Sequence, residues 1–227
     1  MSVVIKLAFP GGRYHATPWG RHVNEGVPEW PPSPWRLLRA LVAVWKRTCP
    51  ELSEQQVRQI LEPLLSPPRF QLPPFRVAHT RHYMPLGHKS PREIAGGGTT
   101  LVFDTFVSIS RKAELFVGWP NAEVNSDDRI VLSKLLGNLS SFGRAEGWVQ
   151  AELFDGKVEL LLGPAEANDP NPVPVFCPDP ATAFGSEYYP AHDPKKLKKG
   201  LKPDERLFDC PRWHLCLDTQ TIHAEKW

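Results

Sequence analysis

The sequence predicts an α+β chain of ferredoxin-like architecture, an antiparallel sheet with two helices packed against it. Three observations predict it. Residues 3–9 alternate apolar and polar side chains with period two, and 100–109 and 148–154 read as further strands. Two stretches, opening at Ser33 and near Asp127, carry apolar residues at i, i+3, i+4 spacing. Without the loops, residues 1–154 read strand, helix, strand, strand, helix, strand.

The first strand buries Val3, Ile5, Leu7 and Phe9, and Gly11-Gly12 ends it. An irregular loop then leads to Ser33-Pro34. Ser33 is a good N-cap, whose hydroxyl accepts a free N–H of the first turn, and Pro34 sits where its missing N–H costs nothing. Trp35, Leu38, Leu41, Val42 and Trp45 form the apolar stripe of that helix. Ser53-x-x-Gln56 has the form of a capping box and starts an inserted helix over 53–64. Prolines 67, 68, 73 and 74 forbid regular structure. Phe75–Tyr83 is expected as a strand leading to an exposed, thumb-like tip, an insertion, and Thr100–Ile109 as a strong strand with Glu114–Trp119 as its hairpin partner. Ser126 or Asp127 is expected to cap a helix with Val131, Leu132, Leu135, Leu136 and Leu139, ending near Gly143. Asp155-Gly156 suits a type I′ turn, so 148–154 and 157–162 are expected to pair as a hairpin. The domain organisation predicted is 1–162, with the inserted helix and a hairpin at about 75–100, followed by an irregular Pro- and Lys-rich extension over 163–227.

The 227 residues, 41% hydrophobic and 23% charged, are those of a globular protein. No apolar run approaches the eighteen or so residues of a membrane span, and MSVVIKLAFP lacks the pattern of a signal peptide. Four cysteines do not make a disulfide framework, so a cytoplasmic chain with reduced thiols is expected. The net charge of +2 is unevenly spread: residues 1–100 carry a net +7 and residues 101–190 a net −7, with a further +3 at 191–206. A basic N-terminal half suits a polyanionic partner.

Five constellations carry chemistry. Arg13, Tyr14, His15, Trp19, Arg21 and His22 interleave cations with flat rings, as single-stranded nucleic acid binding requires. Arg36 and Arg39 fall off the helix stripe, toward solvent or a partner. His79, Arg81, His82, Tyr83 and Lys89 surround the proline-rich tip; His79 and His82, with His15, are also candidate acid–base groups. FGRAEGW contributes Arg144, aimed at phosphate or paired with Glu146 in a turn. Cys210, His214, Cys216 and His223 have zinc-ligand chemistry without zinc-finger spacing and are read as thiols in a core, with no metal expected. The lysines of DPKKLKKGLKPDER are a solvated run or a set of phosphate contacts.

Several of these segments resemble a known family. RYHATPWGRHVNEGVPEWPPSPWRLLRALVAVW, TRHYMP, LVFDTFV and FGRAEGWV are similar to the Cas-five-like part of the Cas-five/Cas-six fusion subunit of subtype I-G (I-U) CRISPR Cascade, with PSPWRLLRAL matching its Pro-Ser-led first helix. The resemblance covers most of residues 1–155. It implies the ferredoxin-like RAMP fold, which is also RRM-like, and a subunit that caps the repeat-derived handle of CRISPR RNA in antiviral defence. It also implies docking on Cas-seven-type backbone subunits and the large Cascade subunit, with target DNA met indirectly. The chain ends before a second βαββαβ unit fits, so RNA processing is not expected of it, and no cofactor is implied. The alternatives are a metal-independent endoribonuclease using His15, His79 or His82, and a protein-only scaffold.

Overall fold

The computed structural model of the chain describes residues 2–18, 21, 25–85, 98–165, 172–178 and 215–223, the last as backbone. In chain order the elements are β1 (Val3–Ala8), β2 (Arg13–Tyr14), α1 (Pro34–Thr48), α2 (Glu54–Leu61), β3 (Arg69–Gln71), β4 (Phe75–Pro85) and β5 (Thr99–Ile109). Then follow β6 (Glu114–Trp119), α3 (Ser126–Gly137), β7 (Gln150–Leu153), β8 (Pro172–Pro178) and β9 (Leu215–His223).

The central sheet has the order β3-β6-β1-β7 and is antiparallel throughout. With α1 after β1 and α3 after β6, this is a ferredoxin-like α+β arrangement. One expected pairing changes: Glu114–Trp119 is not the hairpin partner of Thr100–Ile109 but pairs with β1 and β3, so the second and third strands of the βαββαβ unit, in chain order, are β3 and β6. β3 is only three residues between proline pairs, too short for a period to show. The long β4–β5 pair is instead an insertion, joined to β2 in its own sheet, β2-β5-β4.

The helices form where their caps place them. Ser33 Oγ accepts from the Arg36 backbone N–H at 3.3 Å. Ser53 and Gln56 close both bonds of the capping box. For α3 the cap is Asn125, whose side chain accepts from Asp128 N–H at 2.8 Å, rather than Ser126 or Asp127, and the helix stops at Gly137. Val3, Ile5 and Leu7 on one face of β1 meet Leu38 and Leu41 of α1 and Leu132, Leu135 and Leu136 of α3 in one core. Each such side chain contributes about 1.5–3 kcal/mol when fully buried. Cys49 and Cys177 are buried free thiols; burial pushes Cys177 up to about 12.

Beyond β7 the chain departs from the expected hairpin. Residues 157–161 form no strand; the segment crosses the outer face of the sheet from the β7 edge to the β3 edge. Phe154 packs on Phe116 with ring centres 4.9 Å apart, and Leu162 exchanges two backbone bonds with Phe70, at 2.6 and 3.0 Å. Arg69 holds the Leu160 carbonyl at 3.0 Å. The alternation read as a strand belongs to a strap whose inward side chains cover Phe116 and Gly118. A Cβ on Gly118 would lie 2.2 Å from Leu160 Cδ1. Gly118→Ala is therefore expected to displace Leu160 and lower stability by about 1–2 kcal/mol in denaturant titration. The extension is also less irregular than expected: β8 pairs antiparallel with β9, packs on α1 and buries Val175 in the core.

Candidate nucleic-acid interface

The Arg- and aromatic-rich loop divides into a buried part and an exposed part. Tyr14 is fully buried. Its ring meets Phe9, Trp30 and Phe142, and its hydroxyl donates to Glu29 Oε1 at 2.8 Å. The same carboxylate accepts from the Ser33 backbone N–H at 3.0 Å and from Arg36 Nε and Nη2 at 2.8 and 3.0 Å. Arg36 Nη2 also donates to the Thr17 carbonyl at 2.9 Å. Burial alone would lower the Arg36 pKa, but the Glu29 hydrogen bonds and charge outweigh it and raise it. Burial and the Glu29 carboxylate push the Tyr14 phenol well above its usual range. Tyr14 and Arg36, both expected on the RNA-binding surface, thus tie the loop to the start of α1. The reason is Glu29, four residues before the cap, which sequence reasoning did not single out. Its only signal was a carboxylate within a proline- and tryptophan-rich run.

His15 is likewise buried, at 4% exposure, where sequence reasoning placed it on the surface. Its Nδ1 lies 2.6 Å from Glu146 Oε1 and its Nε2 lies 3.9 Å from Asp104 Oδ1. Asp104 Oδ1 accepts from Arg144 Nη1 at 2.9 Å, and His82 Nε2 lies 3.6 Å from Oδ2. Burial would raise the Glu146 pKa, but its backbone hydrogen bond, His15 and Arg144 together lower it. Arg144 and Glu146 are thus not each other's partners. The backbone makes the cluster possible: Arg144 N–H donates to the His15 carbonyl at 2.8 Å, and Gly143, at φ +86, lies against that same peptide. Five residues from four separate segments converge here, and Asp104 was not foreseen because it sits in an apolar strand reading LVFDTFV.

The exposed chemistry lies along the β4–β5 pair. Register places Arg81 opposite Phe103, and His79 opposite Thr105, on one face; Thr80 opposite Asp104, and His82 opposite Val102, lie on the other. Near the base, Val107 and Ile109 are buried. Toward the tip, successive residues on both faces are exposed, with Tyr83 at 72% and Met84 at 49%, so the hairpin stands out from the body. His79 stacks on Phe103 at 4.6 Å, and the Arg81 guanidinium lies 5.4 Å from the same ring. Lys89 at the tip, and Trp19 and His22 in the loop, fall outside the described residues.

The other expected cations are dispersed. Arg13 is exposed, 5.8 Å from the Phe106 ring. Arg21 pairs with Glu25 at 3.0 Å, an exposed pair of small energetic weight. Arg39 is exposed on α1, its guanidinium 4.7 Å from the Trp35 ring. Among the described residues no group of His, Cys, Asp and Glu is arranged to hold a metal ion, and no helix is long and apolar enough to cross a membrane.

No protein-family model and no curated protein matches the chain. Among solved structures it is similar to one described as a CRISPR protein from Archaeoglobus fulgidus. That likeness has 15% identity and a TM-score of 0.37, over 79% of this chain and 80% of that one. At this level the likeness decides nothing, and the fold rests on the sheet order and helix placement given above.

Proposed function

We propose that the chain is a non-catalytic, CRISPR RNA-binding subunit of a type I-G Cascade-like complex, and that its β4–β5 hairpin grips single-stranded repeat RNA. The observation that carries this reading is the exposed, outstanding hairpin with Arg81, His79 and Tyr83 along one face and no acidic residue in β4. An exposed tyrosine ring offers a base a stacking surface, and a neighbouring guanidinium offers a phosphate a bidentate partner. The sequence resemblance supplies the biological setting: the guide-RNA handle as ligand, and Cas-seven-type and large subunits as neighbours. Arg13 and Arg39 would extend the positive surface. The strap over the sheet supports the hairpin as the contact, because it occupies the face that an open sheet would otherwise offer to RNA.

Endoribonuclease chemistry has weaker support. His15, with its Nε2 buried, has no route to a ribose hydroxyl, and His79 is stacked on Phe103.

The test is binding of a labelled repeat RNA across a salt series. Affinity should fall linearly on a log–log plot, with a slope of about −0.7 per phosphate contact. Tyr83→Ala should weaken binding by about 5- to 150-fold, the range of one lost base stack, with Arg81→Ala reducing the salt slope. Salt-independent binding, or a Tyr83→Ala variant indistinguishable from the parent, would overturn the hairpin as the contact. Absence of RNA crosslinks in the assembled complex would leave the protein-only scaffold as the reading.

A further inference from the structure

We infer that Asp104 is an internal competitor for RNA phosphate: its carboxylate occupies the position at which Arg144 and His82 would otherwise hold a phosphodiester. This rests on the RNA-binding reading and adds a determinant of selectivity to it. Asp104 is the acidic residue of an otherwise uncharged β5, and it faces the side of the hairpin that carries His82 and Arg13. Three groups from separate chain segments converge on it. Arg144 of the 142–148 loop bonds Oδ1 at 2.9 Å, His82 of β4 faces Oδ2 at 3.6 Å, and the buried His15 approaches Oδ1 at 3.9 Å. Arg13 lies on the same face, over Phe106, two residues along β5.

A guanidinium with imidazoles around one oxyanion is the donor set that binds a phosphate. Arg144 and His82 are both partly open to solvent, whereas Asp104 is mostly covered, so an RNA backbone would meet these two side chains first. The carboxylate cancels the charge of the guanidinium and repels a phosphate brought to the same place. A polyanion without bases therefore gains little at the base of the hairpin, and binding is left to contacts that need a base, such as stacking on Tyr83. This is specificity by an opposing charge rather than by an added attraction. His15 remains anchored by Glu146 whatever happens at Asp104, so the carboxylate can be neutralised without freeing the buried imidazole.

The experiment measures binding of labelled oligouridine to the full chain, for the parent, Asp104→Asn, Arg144→Gln and the double variant. Asp104→Asn should tighten oligouridine binding about 5- to 10-fold at low salt and steepen the log–log salt slope by about 0.7, one further phosphate contact. Arg144→Gln alone should cost less than about twofold, yet remove most of the gain when added to Asp104→Asn, a non-additivity that a purely structural Asp104 would not produce. Unchanged or weaker binding by a folded Asp104→Asn variant overturns the inference while leaving the hairpin reading intact. If that variant does not fold, a large loss from Arg144→Gln alone overturns it, since Arg144 would already be engaging RNA. Failure of every variant and of the parent to bind any RNA refutes the RNA-binding reading itself, and this inference with it.

Discussion

Glu29→Ala is expected to lower the stability of the chain by about 3–5 kcal/mol, the cost of removing one partner from a buried ion pair. For a chain of this size that corresponds to a fall in Tm of about 6–20 °C, readable by calorimetry. The size follows from what the carboxylate holds. Glu29 accepts from the Tyr14 hydroxyl, the Ser33 backbone N–H and two nitrogens of Arg36. Its removal leaves a mostly buried guanidinium without its counter-charge, and a fully buried phenol and the N–H of the α1 cap residue without acceptors. Each unsatisfied neutral donor adds about 1–3 kcal/mol unless water reaches it. Glu29→Gln keeps an acceptor and loses the charge, so it should fall between parent and alanine. Adding Arg36→Met to Glu29→Ala should recover part of the loss, because replacing both members of a buried pair costs less than orphaning one. A Glu29→Ala variant within 1 kcal/mol of the parent would mean that the network is solvated and that Tyr14 and Arg36 are free to leave it.

The second large effect is expected at Gly143. Its φ is +86, where a side chain costs about 1–2 kcal/mol, and a Cβ there would lie 2.3 Å from the His15 carbonyl oxygen. That oxygen belongs to a backbone fixed by β2 pairing on β5 and by the Arg144 N–H, so it cannot swing aside as a side-chain end would. Gly143→Ala should therefore cost about 2–5 kcal/mol in chemical denaturation, combining backbone strain with overlap. It should also displace Arg144 and Glu146, separating Asp104 and His15 from their partners. NMR shifts of the His15 and His82 imidazoles would report that displacement in any population that remains folded. A Gly143→Ala chain as stable as the parent would show that the 142–148 loop is not held against His15.

These two positions also mark how far the sequence could be read. Ser33, Ser53 and the stripes of α1 and α3 were legible because caps and helical periods act within a few residues. The strands at 75–83 and 100–109 were legible for the same reason, but their pairing with each other was not, since the short turn at Arg111-Lys112 pointed to Glu114–Trp119 as the partner. The second strand of the βαββαβ unit was not legible, because β3 has three residues and takes its edge position only by pairing with β6. The Asp155-Gly156 turn misled for a related cause: a turn dipeptide reports local geometry, whereas the apolar face of β6 captured the following segment as a strap. At the candidate site the residue types were right for nucleic acid, but Tyr14, His15 and Arg36 are inside.

By itself the sequence determined the α+β class, the helix starts, several strands and the concentration of positive charge in its first hundred residues, all properties of neighbours along the chain. Only the tertiary structure decided which of those cations and rings face water. Burial and pairing depend on carboxylates brought in from elsewhere: Glu29 claims Tyr14 and Arg36, Glu146 claims His15, and Asp104 claims Arg144. A charge written in sequence becomes a surface only when no opposite charge folds onto it.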